Sequence, residues 1–137
     1  MSKKFLKKII AENVEDLRMI SAICSGSKIL QSEIKFLRQN RVFLLPLQRK
    51  AVEKQIENNK ERINSIIKFD YIYRSKSKNI NQNLKNNILE LLAIEIFKNN
   101  QNFEIVLLFS NNAAITLVAE VIDVTLEDIQ KFNDQNS

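Results

Sequence analysis

The apolar residues of this chain follow two periods, and the change from one to the other marks out its elements. Val14, Leu17, Ile20, Ile23 and Cys24 recur at the spacing of one helix face. Asn13 stands ahead of them as an N-cap, and Glu15 and Asp16 occupy the first turn, where the helix dipole favours acids. Gly26, the single glycine, follows at the place where a left-handed residue ends a helix. The pattern predicts a helix over 14–24, with a short strand over 3–10 before it.

Beyond that point the period becomes two. Residues 28–38 and 41–49 read as strands joined at Gln39-Asn40, and Pro46 sets the second at a sheet edge or bulge. Residues 66–74 read as a strand with Phe69, Tyr71 and Tyr73 on one face. Residues 103–109 and 113–122 read as paired strands about Ser110-Asn111-Asn112. The run 88–97 also fits a helix through Leu89, Leu92, Ala93 and Ile96, but its neighbours place it in the same meander. Two polar stretches, 50–65 and 75–87, are expected to be exposed connections, the first a thinly striped helix and the second an asparagine-rich loop. Thr125 with Asp128 resembles a capping box and predicts a short helix over 126–132. Together these elements predict an α+β protein: mostly an antiparallel β-sheet (a roll or partly open barrel), one N-terminal helix and a short C-terminal helix.

Composition narrows the setting. A length of 137 residues suits a single domain, 1–137, and one cysteine excludes an internal disulfide. Lys7-Lys8 split Phe5-Leu6 from Ile9-Ile10, so no signal-peptide core forms, and no apolar run reaches about 18 residues. A cytoplasmic location is expected, with no membrane partner. The net charge of +5 says little by itself. Fifteen lysines beside 17 asparagines and 19 isoleucines are what an A/T-rich genome writes into most proteins. The distribution says more: residues 1–85 carry +11 and residues 86–137 carry −6. That asymmetry polarises a surface and makes the two parts mutually attractive.

Most enzyme chemistry lacks its residues. Without histidine there is no Ser-His-Asp triad or imidazole metal ligand, and one cysteine makes no paired-thiol site. One glycine makes neither a Walker loop nor a dinucleotide-binding turn. Cys24 ends the first helix on its apolar stripe, where both the dipole and burial raise a thiol's pKa, so it reads as a core cysteine. Glu120, Asp123, Glu127 and Asp128 have no EF-hand spacing and read as helix-terminus acids. Neither cofactor nor metal is expected.

The remaining chemistry is cationic. Arg74, Lys76 and Lys78 share one parity of an extended segment, beside Tyr71 and Tyr73, while Arg38, Arg41, Arg49 and Lys50 flank the opening hairpin. Cations for phosphate and aromatic rings for bases are the means of sequence-tolerant RNA or single-stranded DNA binding. The plainer reading makes the aromatics core and the cations a guard on an edge strand.

Five stretches in this order resemble an alphaproteobacterial family, domain of unknown function 2948. They are Glu15-Asp16-Leu17 with Ile20-Ser21-Ala22; the hairpin 36–49; Phe69-Asp70 through Arg74-Ser75-Lys76; Leu91-Leu92-Ala93-Ile94; and Ala114-Ile115-x-Leu117 with Glu120-x-Ile122-x-x-x-Leu126-x-Asp128. The chain departs from the family at Asn111-Asn112-Ala113, where the family is glycine-rich, and at Val121, where it often has cysteine. The resemblance implies a fold and a lineage, and it carries over no functional residue. The expectation is a non-enzymatic binding or interaction module with a basic face, its partner an acidic protein or a second copy. Nucleic-acid binding through the basic strand edges is the first alternative, and a small enzyme using carboxylates the second.

Overall fold

The computed structural model describes residues 6–51 and 62–129. Strand β1 (Lys8–Ala11) leads into helix α1 (Val14–Cys24). The Asn13 side-chain carbonyl accepts the Asp16 N–H at 2.8 Å, which caps the helix as its sequence requires. Leu17, Ile20 and Cys24 form its buried stripe. Burying each large aliphatic side chain contributes about 1.5–3 kcal/mol, enough to hold a helix too short to persist alone. Gly26 takes φ +87, and its N–H donates to the Leu91 carbonyl at 2.7 Å.

The opening hairpin is more broken than two strands. β2 (Ser27–Leu30) gives way to a 3₁₀ turn at Gln31–Glu33, then β3 (Lys35–Leu37), a second 3₁₀ turn at Arg38–Asn40, and β4 (Val42–Lys50). The first break follows from Gln31, a buried amide that donates to the Asn81 carbonyl at 2.8 Å instead of continuing a strand. At the second, Arg41 rather than Asn40 takes the left-handed conformation, at φ 58.

Two further boundaries move. Residues 62–65, expected in an exposed connection, open β5 (Arg62–Phe69), where they pair with Leu47 through Lys50; the rest of that connection, 52–61, lies outside the described residues. The strand expected over 66–74 is two strands. β5 stops at Phe69, Tyr71 takes φ 61, and β6 (Ile72–Lys78) starts afresh and runs into the stretch expected to be loop. The reset reverses the facing of the aromatics. Phe69 is fully buried, whereas Tyr71 and Tyr73 are 48% and 42% exposed and Ile72 takes the core position.

The C-terminal third forms the expected meander, with β7 (Ile88–Asn99), β8 (Asn102–Phe109) and β9 (Ala114–Ala119). A bulge in β7 between Leu91 and Ala93 shifts its alternation, so Leu89, Leu91 and Ile94 face inward rather than the helical set. Hydroxyls of α1 serve the bulge: Ser21 Oγ accepts the Ile94 N–H at 2.8 Å, and Ser25 Oγ donates to the Leu92 carbonyl at 3.1 Å. Asn111 and Asn112 turn the β8–β9 hairpin with φ 63 and 61, doing the work of glycine. The expected closing helix is overturned where it can be seen. Leu126 and Asp128 lie in β10 (Val124–Asp128), between β1 and β5, and 130–132 fall outside the described residues. Val124, Leu126 and Asp128 point inward at period two, which a helix cannot offer.

Every pairing is antiparallel, in the order β1-β10-β5-β4-β2-β7-β8-β9-β6, with β3 added to β4. Among the described residues, no pairing joins β3 to β6. No described helix is long and apolar enough to cross a membrane.

Candidate anion-binding margin

The seven candidate cations separate by position on the sheet. Arg49 belongs to the inward row of β4 and has no exposed surface. Its Nε donates to Asp128 Oδ1 at 2.9 Å and its Nη2 to Oδ2 at 2.7 Å, a bidentate pair with both side chains wholly buried. The Ser65 hydroxyl adds a bond to Oδ1 at 2.6 Å and the Lys7 N–H one to Oδ2 at 2.8 Å. Burial alone would raise the Asp128 pKa, but the bonds from Arg49, Ser65 and Lys7 outweigh it and hold the carboxyl below its ordinary value. The assignment of Arg49 to anion binding is therefore corrected: its anion is Asp128. That of Asp128 to a helix terminus is corrected with it.

Cys24 lies in the same interior, where burial pushes its thiol up to about 12, against a smaller opposing pull from Arg49. It is a core residue, as its place on the apolar stripe predicts.

Lys50 is exposed but ends β4 at the far side from Arg41, about 26 Å along the strand. Its side chain covers Gly26, where an added Cβ would stand 3.0 Å from Lys50 Cε.

The other five gather along one margin. The Ile72 N–H donates to the Arg41 carbonyl at 2.9 Å, which ties the start of β6 to the turn before β4. The Arg41 guanidinium lies 5.1 Å from the Tyr73 ring centre and the Arg38 guanidinium 5.5 Å from that of Phe36. Arg74, Lys76 and Lys78 continue the margin along β6, opposite Val118, Thr116 and Ala114 of β9. All five are exposed, and no ion pair joins any of them to a described acid.

Behind the margin lies what the sequence reading missed. A cleft of about 360 Å³ opens between β3 and β6, with Phe43 and Ile115 buried beneath it and Ile34, Phe36 and Ile80 along its sides. Ser75 and Ser77, the inward row of β6, line it, with Arg38 and Gln82 also on its wall. The alternation of serine and cation over 74–78 was the available signal. Assigning 75–87 to a loop hid it.

Among the described residues, no three His, Cys, Asp or Glu side chains are placed to share a metal. A family model described as "Protein of unknown function (DUF2948)" matches residues 7–136. A solved structure, titled an uncharacterized protein from Neisseria gonorrhoeae, is similar at 19% identity and a TM-score of 0.45, over 88% of this chain and 97% of that one. No curated protein matches.

Proposed function

This chain belongs to the DUF2948 family, a family of unknown function, and from that premise we propose that it is a non-enzymatic binding module whose β6 margin holds an extended anionic partner. The observation that carries this reading is the gathering of Arg38, Arg41, Arg74, Lys76 and Lys78 without acidic partners among the described residues. Like charges gathered on one strip create a local positive field. The cleft behind them offers hydroxyls, two amides and a guanidinium above an apolar floor, a set that binds rather than moves protons.

A second reading, sequence-tolerant binding of RNA or single-stranded DNA, is favoured by the exposed Tyr71 and Tyr73 rings beside Arg41.

Fluorescence anisotropy of a labelled glutamate 20-mer and a labelled thymidylate 20-mer, across a salt series, tests both. Binding is expected at about 50 mM salt and should weaken by about a hundredfold at 300 mM if about four phosphates are contacted. Lys76→Glu with Lys78→Glu should abolish it, and Lys50→Glu should leave it intact. Silence from both probes at the lowest salt would end the proposal.

A further inference from the structure

We propose that the partner is an acidic polypeptide strand that adds to the free edge of β6 and fills the opening between β6 and β3, a deduction that rests on the cationic margin being a binding surface. Among the described residues, β6 pairs with β9 alone and β3 with β4 alone. Alternate residues of an edge strand turn their N–H and C=O groups away from the sheet. Past Ile72, whose N–H is bonded to Arg41, no backbone group of β6 is bonded to anything but β9 among the described residues. The cleft therefore carries an unused hydrogen-bonding edge.

The register then dictates the pattern of the incoming strand. Ser75 and Ser77 face the cleft, above buried Phe43 and Ile115; Arg74, Lys76 and Lys78 face outward. A strand laid beside β6 presents its own side chains to the same two faces, as cross-strand neighbours. Its inward positions meet small hydroxyls over an apolar floor and must be apolar, of modest size, because the cleft stands near the lower end of the range of about 300–1,000 Å³ for ligand pockets. Its outward positions meet three cations that no described acid pairs, and must be acidic. The occupant is an extended segment alternating Glu or Asp with Val or Ile, recognised by strand addition.

A second β6 is excluded by the same chemistry, since edge-to-edge pairing of two copies sets cations beside cations. The lysines that guard the edge against its own kind are the feature that selects an acidic strand.

Three heptapeptides test this by anisotropy at about 50 mM salt: one alternating four glutamates with three valines, an isomer with the glutamates contiguous, and the alternating peptide N-methylated at every second residue. The alternating peptide should bind at least tenfold tighter than either control. Lys76→Glu should weaken it at least tenfold, as should Ser77→Phe, which fills the cleft without changing charge; Lys50→Glu should not. Equal binding of all three peptides would overturn strand addition while leaving the anion-binding margin in place. A thymidylate 20-mer that outcompetes every peptide would replace it with the nucleic-acid reading. If neither peptide nor thymidylate binds, the margin itself is no binding surface and both proposals fall.

Discussion

Arg49 and Arg74 occupy strands of one open sheet, and their surroundings are opposite. Arg49 points inward, without exposed surface, and spends its fork on Asp128, itself bonded by Ser65 and Lys7. Arg74 points outward beside Lys76 and Lys78 with no carboxylate of its own among the described residues. The comparison teaches that a cation's letter says little and its parity on the strand says nearly everything. An inward guanidinium survives only where a carboxylate answers it and the remaining lone pairs are filled. An outward one is left free for something else.

The contrast breaks most visibly if the inward pair is cut. Asp128→Ala removes the bidentate carboxylate from buried Arg49 and should cost about 3–5 kcal/mol, read from urea denaturation. Arg74→Ala should change stability by no more than about 0.5 kcal/mol. Replacing both partners with apolar residues, Arg49→Met with Asp128→Leu, should recover much of the loss. Equal effects of Asp128→Ala and Arg74→Ala would erase the distinction.

Acid should produce a smaller, graded version of the same cut. The Asp128 carboxyl titrates below its ordinary value in the folded chain. A group depressed in this way stabilises the fold at every pH above its unfolded pKa of about 3.9, and that contribution fades as pH falls through the folded value. Neutral conditions therefore show it in full. Urea midpoints of the wild type and Asp128→Asn should differ most at pH 7 and converge towards pH 3. A gap that stays constant over that range would show that the carboxylate's charge contributes nothing.

The comparison also explains what could be read beforehand. Helix α1 was legible because cap, acidic first turn and apolar stripe all agree over 13–24. The meander was legible because β8 and β9 are apolar runs rich in β-branched residues on either side of the polar Ser110-Asn111-Asn112. What was not legible turned on single residues whose signal is tertiary. Tyr71 adopts a left-handed conformation that nothing in its type announces; it turns Tyr71 and Tyr73 outward and Ile72 inward, until the irregularity between Ile72 and Arg74 restores the earlier alternation. Asp128 three residues after Thr125 imitates a cap, and only the distant Arg49 makes it a buried strand residue. Residues 74–78 carry strand alternation in serines and cations, an edge-strand composition whose 75–78 part reads as loop when hydrophobicity alone is followed. The margin's cations could be named from sequence; the cleft behind them could not, since it joins Phe36 and Phe43 to Ser75 and Ile115 across the sheet opening.

The finest test concerns Arg41, whose place is intermediate between the two arginines. Its guanidinium rests on Tyr73, and its backbone holds φ 58, a conformation that costs a side-chain-bearing residue about 1–2 kcal/mol. Truncation to alanine keeps the backbone cost and removes the stack, so Arg41→Ala should lose about 0.5–1 kcal/mol, the usual worth of an exposed cation–ring contact. Arg41→Gly removes the stack and the backbone cost together, so its urea midpoint should lie at or above that of the wild type. Both should weaken binding to the anionic probes equally, because both lose the same charge. If Arg41→Ala leaves stability untouched, the ring contact contributes nothing to the fold, and Arg41 joins Arg74 as a side chain retained for its partner alone.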